Sequence, residues 1–259
     1  MIQGLAPTFY SIQKISTFTA LLVIAGTAWW FLVASEAAMT TMTGDGFIMG
    51  VMALVMTPSD AGPYLLAASL MWVVMMVAMM LPAVLPLVMI YRKMDRGRFP
   101  NLDTMIFSCG YLTAWLVFAL SAAGLQWSLH TQGALRGHLL ATGTTLTGTI
   151  FIAAGLYQLT PLKEACLNRC RSPLGFFIAN WHSGRLGAFR MGCTHGLYCT
   201  GCCWVLMLLM FAGGAMSVTT MAALSTFILA ERLLPAGLWV STIPGVTLVG
   251  WGGLVLFRA

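Results

Sequence analysis

Long stretches without formal charge constrain this chain more than any other feature. No Asp, Glu, Lys or Arg occurs between Lys14 and Glu36, or between Asp60 and Arg92. The same holds from Asp103 to Arg136, from Arg136 to Lys163, from Arg190 to Glu231 and from Arg232 to Arg258. A helix needs about 20 apolar residues to cross the hydrocarbon core of a bilayer, and five of these gaps hold one such helix each. The gap from Arg190 to Glu231 has room for two, and Gly213 and Gly214 sit near its middle. It reads as two short helices joined by a tight turn. The sequence therefore predicts an all-α, polytopic transmembrane helix bundle of about seven spans, near 16–36, 64–90, 104–128, 141–161, 195–213, 217–234 and 238–257. One integral membrane domain covers residues 1–259. Composition agrees, with 59% hydrophobic and 8% charged residues, where a soluble domain carries about 25% charge.

The basic residues set the orientation. With the N-terminus in the cytoplasm, the inner side receives Lys14, Arg92, Lys93, Arg96, Arg98, Lys163, Arg169, Arg171, Arg185, Arg190 and Arg232. The outer side receives only Arg136 and Arg258. Basic residues concentrate on the cytoplasmic side of membrane proteins, so the net charge of +6 orients the chain and does not point to nucleic acid. The expected location is a bacterial inner membrane, with the lipid bilayer as first partner. Merging the fifth and sixth spans into one re-entrant hairpin is the competing topology. Glu231 and Arg232 fall at the inner end of the sixth span, where they are expected to reach headgroups. Trp29, Trp30, Trp127, Trp239 and Trp251 are expected in the aromatic belts.

The chemistry lies in sulfur and imidazole. Six of the seven cysteines fall between Cys166 and Cys203, and Cys109 stands alone. All are expected on the cytoplasmic side or in the inner part of the membrane, where thiols stay reduced. Clustering there points to metal binding or redox chemistry. In a helix, His195, Cys199 and Cys203 repeat every four residues and Cys202 lies beside Cys199, so one face carries an imidazole and three thiols. Met207 and Met210 continue that face outward. Such ligands select Cu(I) or Zn(II) over calcium and magnesium. Cys166 and Cys170, four apart, follow the fourth span. With His182 and Cys193 they are further candidates for a tetrahedral site. The competing reading makes these thiols small apolar packers.

Methionine is the third element, with 19 in the chain. Met71, Met75 and Met79 are spaced at i+4 in the second span, as are Met76 and Met80. Met39, Met42, Met49, Met52 and Met56 belong to the first outer loop. Thioether holds Cu(I) without trapping it, so a path is drawn from the outer loop, along the rows of Met75, Met76, Met79 and Met80, to the thiols. Plain apolar packing is the alternative. Pro82 and Pro86 remove backbone donors, and the carbonyls they free must find partners inside the protein. His130 and His138 lie between the third and fourth spans on the outer side. Phosphate-loop, HExxH, GxSxG and CxxCH signatures are absent from the sequence, so the enzyme chemistries they mark are not expected, and a binding role is favoured over an enzymatic one.

Three strings carry a family resemblance: MMVAMMLPAVLP (Met75 to Pro86), GLYQLTPLKEACLNRCRSPLGFF (Gly155 to Phe177) and RMGCTHGLYCTGCCWVLMLLMFAGGAM (Arg190 to Met216). Together they resemble the predicted metal-binding integral membrane protein family, domain of unknown function 2182. The likeness runs from the second span to about Pro235. It implies a multi-span protein with metal ligands at Cys166, Cys170, His195, Cys199, Cys202 and Cys203. Where that family has Ser after the first Pro of the second-span motif, this chain has Ala83.

Three functions compete on this sequence. The first is a membrane protein that handles Cu(I), by transport or by delivery to a cuproenzyme. The second is a non-catalytic subunit or assembly factor of a larger membrane complex, with a structural metal ion, zinc being the alternative to copper. The third is a membrane thiol oxidoreductase.

Overall fold

The computed structural model describes residues 6–41, 46–58, 60–95, 99–234 and 239–258, with side chains from Ser16 onward. Met42, Arg96 and Arg98 lie outside the described residues, as does the side chain of Lys14.

The chain runs through α1 (Ala6–Thr41), α2 (Gly46–Met56), α3 (Ala61–Met94) and α4 (Pro100–Thr131). A small antiparallel hairpin follows, β1 (Leu135–Arg136) and β2 (Ala141–Thr142). Then come α5 (Thr144–Gln158), α6 (Pro161–Arg171), α7 (Pro173–Asn180), α8 (Gly184–Gly213), α9 (Val218–Leu233) and α10 (Trp239–Phe257). The all-α expectation holds, and each of the seven predicted segments contains a helix. Five described helices are long and apolar enough to cross a membrane: α1 from Ser16, α3, α4, α8 and α10. At 15 and 16 residues, α5 and α9 fall short of a spanning length. The sequence also did not announce that the connection between α1 and α3 holds a helix, α2, nor that α6 and α7 fill the connection between α5 and α8.

Helix packing here depends on small residues that let backbones approach, as in membrane bundles generally. A Cβ placed on Gly192 of α8 would lie 2.1 Å from the Phe107 carbonyl oxygen of α4, and one on Gly110 would lie 2.2 Å from the Phe189 carbonyl oxygen. The same device seats α10 on α5, where a Cβ on Gly155 would meet the Gly245 carbonyl oxygen at 2.5 Å. Around the central α3, α4 and α8, large side chains such as Trp72, Trp115, Tyr111 and Phe211 are fully buried.

Pro82 lies inside α3. It has no N–H to give the carbonyl four residues back, that of Ala78. The Trp29 indole of α1 donates to this carbonyl at 2.9 Å. Trp29 is thus a partner for a freed carbonyl and is half-buried.

One level at the α8–α9 turn sets the heights of three helices. The turn between α8 and α9 requires Gly214, whose φ is +98°. Beside this turn, Met216 donates its backbone N–H to the Leu139 carbonyl at 3.2 Å, which ties in the hairpin that leads to α5. From this level, Cys199 is 14 residues back along α8 from Gly213. Arg232 is 14 residues on from the start of α9, and Gln158 is 14 on from the start of α5. At 1.5 Å per residue all three sit about 21 Å below the turn. The two short helices therefore end beside the middle of α8.

Candidate metal centre

α8 is one continuous helix through the whole thiol segment, so the spacing of His195, Cys199, Cys202 and Cys203 becomes a shared face. All four are buried, none more than 2% exposed. The Cys202 and Cys203 thiols both donate to the Cys199 carbonyl at 3.1 Å. Cys199 Sγ meets the Tyr111 hydroxyl at 2.9 Å and receives an N–H from the Arg232 guanidinium at 2.5 Å. Tyr111 gets there because Gly196 has no side chain: a Cβ on Gly196 would lie 2.8 Å from the Tyr111 carbonyl oxygen. The Tyr111 hydroxyl also lies 3.4 Å from the Met80 carbonyl, which places the C-terminal end of the α3 methionine rows next to the thiol face. The His195 ring packs edge-on against Phe176, with centroids 5.0 Å apart, and near Tyr111 at 6.0 Å. Its Nδ1 is buried without a hydrogen-bond partner.

α6 lies along this face. The Cys170 thiol donates to Cys202, and this bond, with burial second, pushes Cys170 well above the ordinary thiol range. A Cβ on Gly201 would lie 3.0 Å from Cys166 Sγ. Burial, and after it the neighbouring Cys202, push the Cys166 thiol up. Thr160 caps the helix through its side chain at Lys163 N.

Glu231 and Arg232 overturn their expected placement at the headgroups. Glu231 is 2% exposed and pairs with Lys163 Nζ at 2.5 Å. It also accepts from Gln158 Nε2 at 3.2 Å and from Ser241 Oγ at 3.3 Å. Arg171 donates to the Glu231 backbone carbonyl at 2.7 Å. Because α9 has only 16 residues, its end lies inside the bundle and its two charges have to find partners there. Burial pulls the Lys163 ammonium below its ordinary value, and Glu231 partly offsets this.

The structure brings together His195, Cys199, Cys202, Cys203, Cys170 and Cys166. It leaves His182 and Cys193 apart. His182 is exposed beside the start of α8, where it lines a cavity of about 730 Å³ with Asp103, Trp181 and Arg185. Cys193 is six residues before Cys199, about 9 Å along the helix, and its backbone nitrogen faces Gly110 of α4. Met75, Met76, Met79 and Met80 are all buried, and Met76 lines a cavity of about 250 Å³ together with Cys109. His130 does not act as a free ligand. Trp72 donates to Gln126 at 2.7 Å, Gln126 to the Tyr64 oxygen at 3.1 Å, and the Tyr64 hydroxyl is thereby left to donate to His130 Nδ1 at 3.0 Å.

Chemically, three buried thiols and an imidazole with an orphaned nitrogen are soft and borderline donors, matched to Cu(I) or Zn(II). Among the described residues no three His, Cys, Asp or Glu side chains already converge on one point, because Cys202 and Cys203 fold back onto the helix carbonyl. Sequence reasoning missed Tyr111, Arg232 and Lys163. The equal 14-residue distances from the Gly213–Gly214 turn were the signal that Arg232 would face Cys199.

These features define a helical bundle with a buried, sulfur-rich centre. Residues 69–255 match the model of the PpoB2 family, described as a copper chaperone, and the chain belongs to that family. No curated protein and no solved structure matches it.

Proposed function

We propose that this chain is an integral protein of a bacterial inner membrane that holds Cu(I) at a thiol centre and passes it to a copper enzyme. The observation that carries the reading is the meeting of buried Cys199, Cys202 and Cys203 with Cys170 and Cys166 from α6, in a chain of a copper-chaperone family. Copper is the cargo. Its ligands are Cys199 with Cys202 or Cys203, and His195 and the α6 thiols receive the ion as it moves on. Rotation of Cys202 or Cys203 off the Cys199 carbonyl brings its sulfur toward the ion. The buried rows of Met75, Met76, Met79 and Met80 line the approach from outside and end where Met80 meets Tyr111.

The five long helices, with α5 and α9 beside them, form the membrane domain, with the N-terminus and the basic ends in the cytoplasm. On this arrangement the thiol centre lies within the bilayer, about 21 Å from the outer turn.

The test is the native metal. The protein is purified in detergent from cells grown with copper and zinc, and its metals are counted by elemental mass spectrometry. About one copper per chain is expected from a thiolate ligand set. Stoichiometric zinc with no copper would contradict the reading and favour a structural ion in a larger complex.

A further inference from the structure

We propose that Arg232 is the counter-cation of the bound ion and makes the thiol centre selective for a monovalent soft metal. This rests on the reading that Cys199 and its neighbours hold the ion. The argument is one of charge and geometry. The charge of Lys163 is matched by Glu231 at 2.5 Å, and Gln158 and Ser241 complete that carboxylate. Arg171 is turned to the Glu231 backbone carbonyl. Arg232 is directed instead at Cys199 Sγ, 2.5 Å away. A guanidinium has no acceptor and stays protonated in proteins, so the sulfur face carries a fixed positive charge.

Helix geometry limits how many donors one ion can gather. His195 and Cys203 are eight residues apart, about 12 Å along α8. On the proposed ligand set an ion held at Cys199 takes one further thiol, from Cys202 or Cys203, and His195 lies too far along the helix to share it with Cys203. Binding releases the ligand thiols' protons to solvent, and two thiolates around Cu(I) or Ag(I) give a complex of charge −1, which Arg232 cancels. Two thiolates around Zn(II) give a neutral complex. That leaves the half-buried guanidinium without a counter-charge and zinc short of its four ligands. The same residue that hydrogen-bonds the ligand thus sets the valence of the ion it accepts. Arg232 does not touch the metal; it acts through Cys199.

The full chain in detergent is titrated with Cu(I), Ag(I) and Zn(II) against competing chelators. The wild type is expected to bind Cu(I) and Ag(I) in preference to Zn(II). In Arg232→Gln, which keeps a donor but no charge, affinity for both monovalent ions falls about 10–100-fold, the usual range for an outer partner of a ligand. Zinc affinity does not fall, and Arg232→Lys restores monovalent binding. Equal Cu(I) and Ag(I) affinity in Arg232→Gln and wild type would overturn the inference and leave the thiol site standing. Failure of the wild type to bind Cu(I) would overturn both. If Arg232→Gln loses its helical circular dichroism, the wild type decides by its own ion preference: Ag(I) over Zn(II) supports the inference and the reverse order overturns it.

Discussion

α3 and α8 both bury sulfur at helical spacing, yet they bury it differently. The methionines of α3 lie within the hydrophobic core, among Ala, Val, Leu and Trp side chains. The cysteines of α8 are just as buried, but their sulfurs meet a phenol, a guanidinium, a second thiol and a backbone carbonyl. A thioether in an apolar setting fills space and adapts to it. A thiol surrounded by donors and a fixed cation is held ready to carry negative charge. Burial and residue type do not separate the two helices; the company their sulfurs keep does.

The comparison can be broken at several points. The largest effect is expected from Glu231→Ala, which leaves Lys163 buried without its partner beside the α8 thiols. Removing one member of such a pair costs about 3–5 kcal/mol, seen as early unfolding in detergent. Unchanged stability would mean that the charged support around α8 is dispensable. Gly196→Leu comes next. Overpacking costs about 1–3 kcal/mol, and α4 is pushed away, taking Tyr111 off Cys199. Copper(I) affinity should fall with stability, and a variant that binds copper normally would remove Tyr111 from the account.

Met76→Leu with Met80→Leu is expected to be milder. Swaps that conserve volume cost less than about 1.5 kcal/mol. Bound copper per chain should stay the same while its uptake into cells slows. Unchanged uptake would return these methionines to packing alone. The smallest effect concerns α6. Burial raises Cys166, so less of it is thiolate at neutral pH than of a free cysteine. Its alkylation by iodoacetamide should therefore keep rising above pH 8.5, about where a free cysteine is half ionised. A midpoint at or below that value, read by peptide mass spectrometry, would mean that α6 does not shield it.

Much of this was legible in the residues. Charge-free gaps located every long helix, and the spacing of His195, Cys199 and Cys203 gave the shared face. Pro82 announced a freed carbonyl, though not that Trp29 would take its hydrogen bond. The depth of Glu231 was not legible. Its place at the end of an apolar run looked interfacial, and only the shortness of α9, counted from the Gly214 turn, carries it into the bundle. Tyr111 was hidden for a related reason, since its contact with Cys199 exists only because Gly192 and Gly196 let α4 close on α8. His182 was misleading because nearness in sequence stood in for nearness in space.

The central claim is that the thiols of α8, and not the methionines of α3, hold the metal. Its most direct test is a Cu(I) titration of three detergent-purified proteins side by side: wild type, Cys199→Ser with Cys203→Ser, and Met76→Leu with Met80→Leu. The account predicts that the cysteine variant stays helical and binds no copper, while the methionine variant binds as much as wild type. Full copper binding by the cysteine variant, or its loss in the methionine variant, would contradict it.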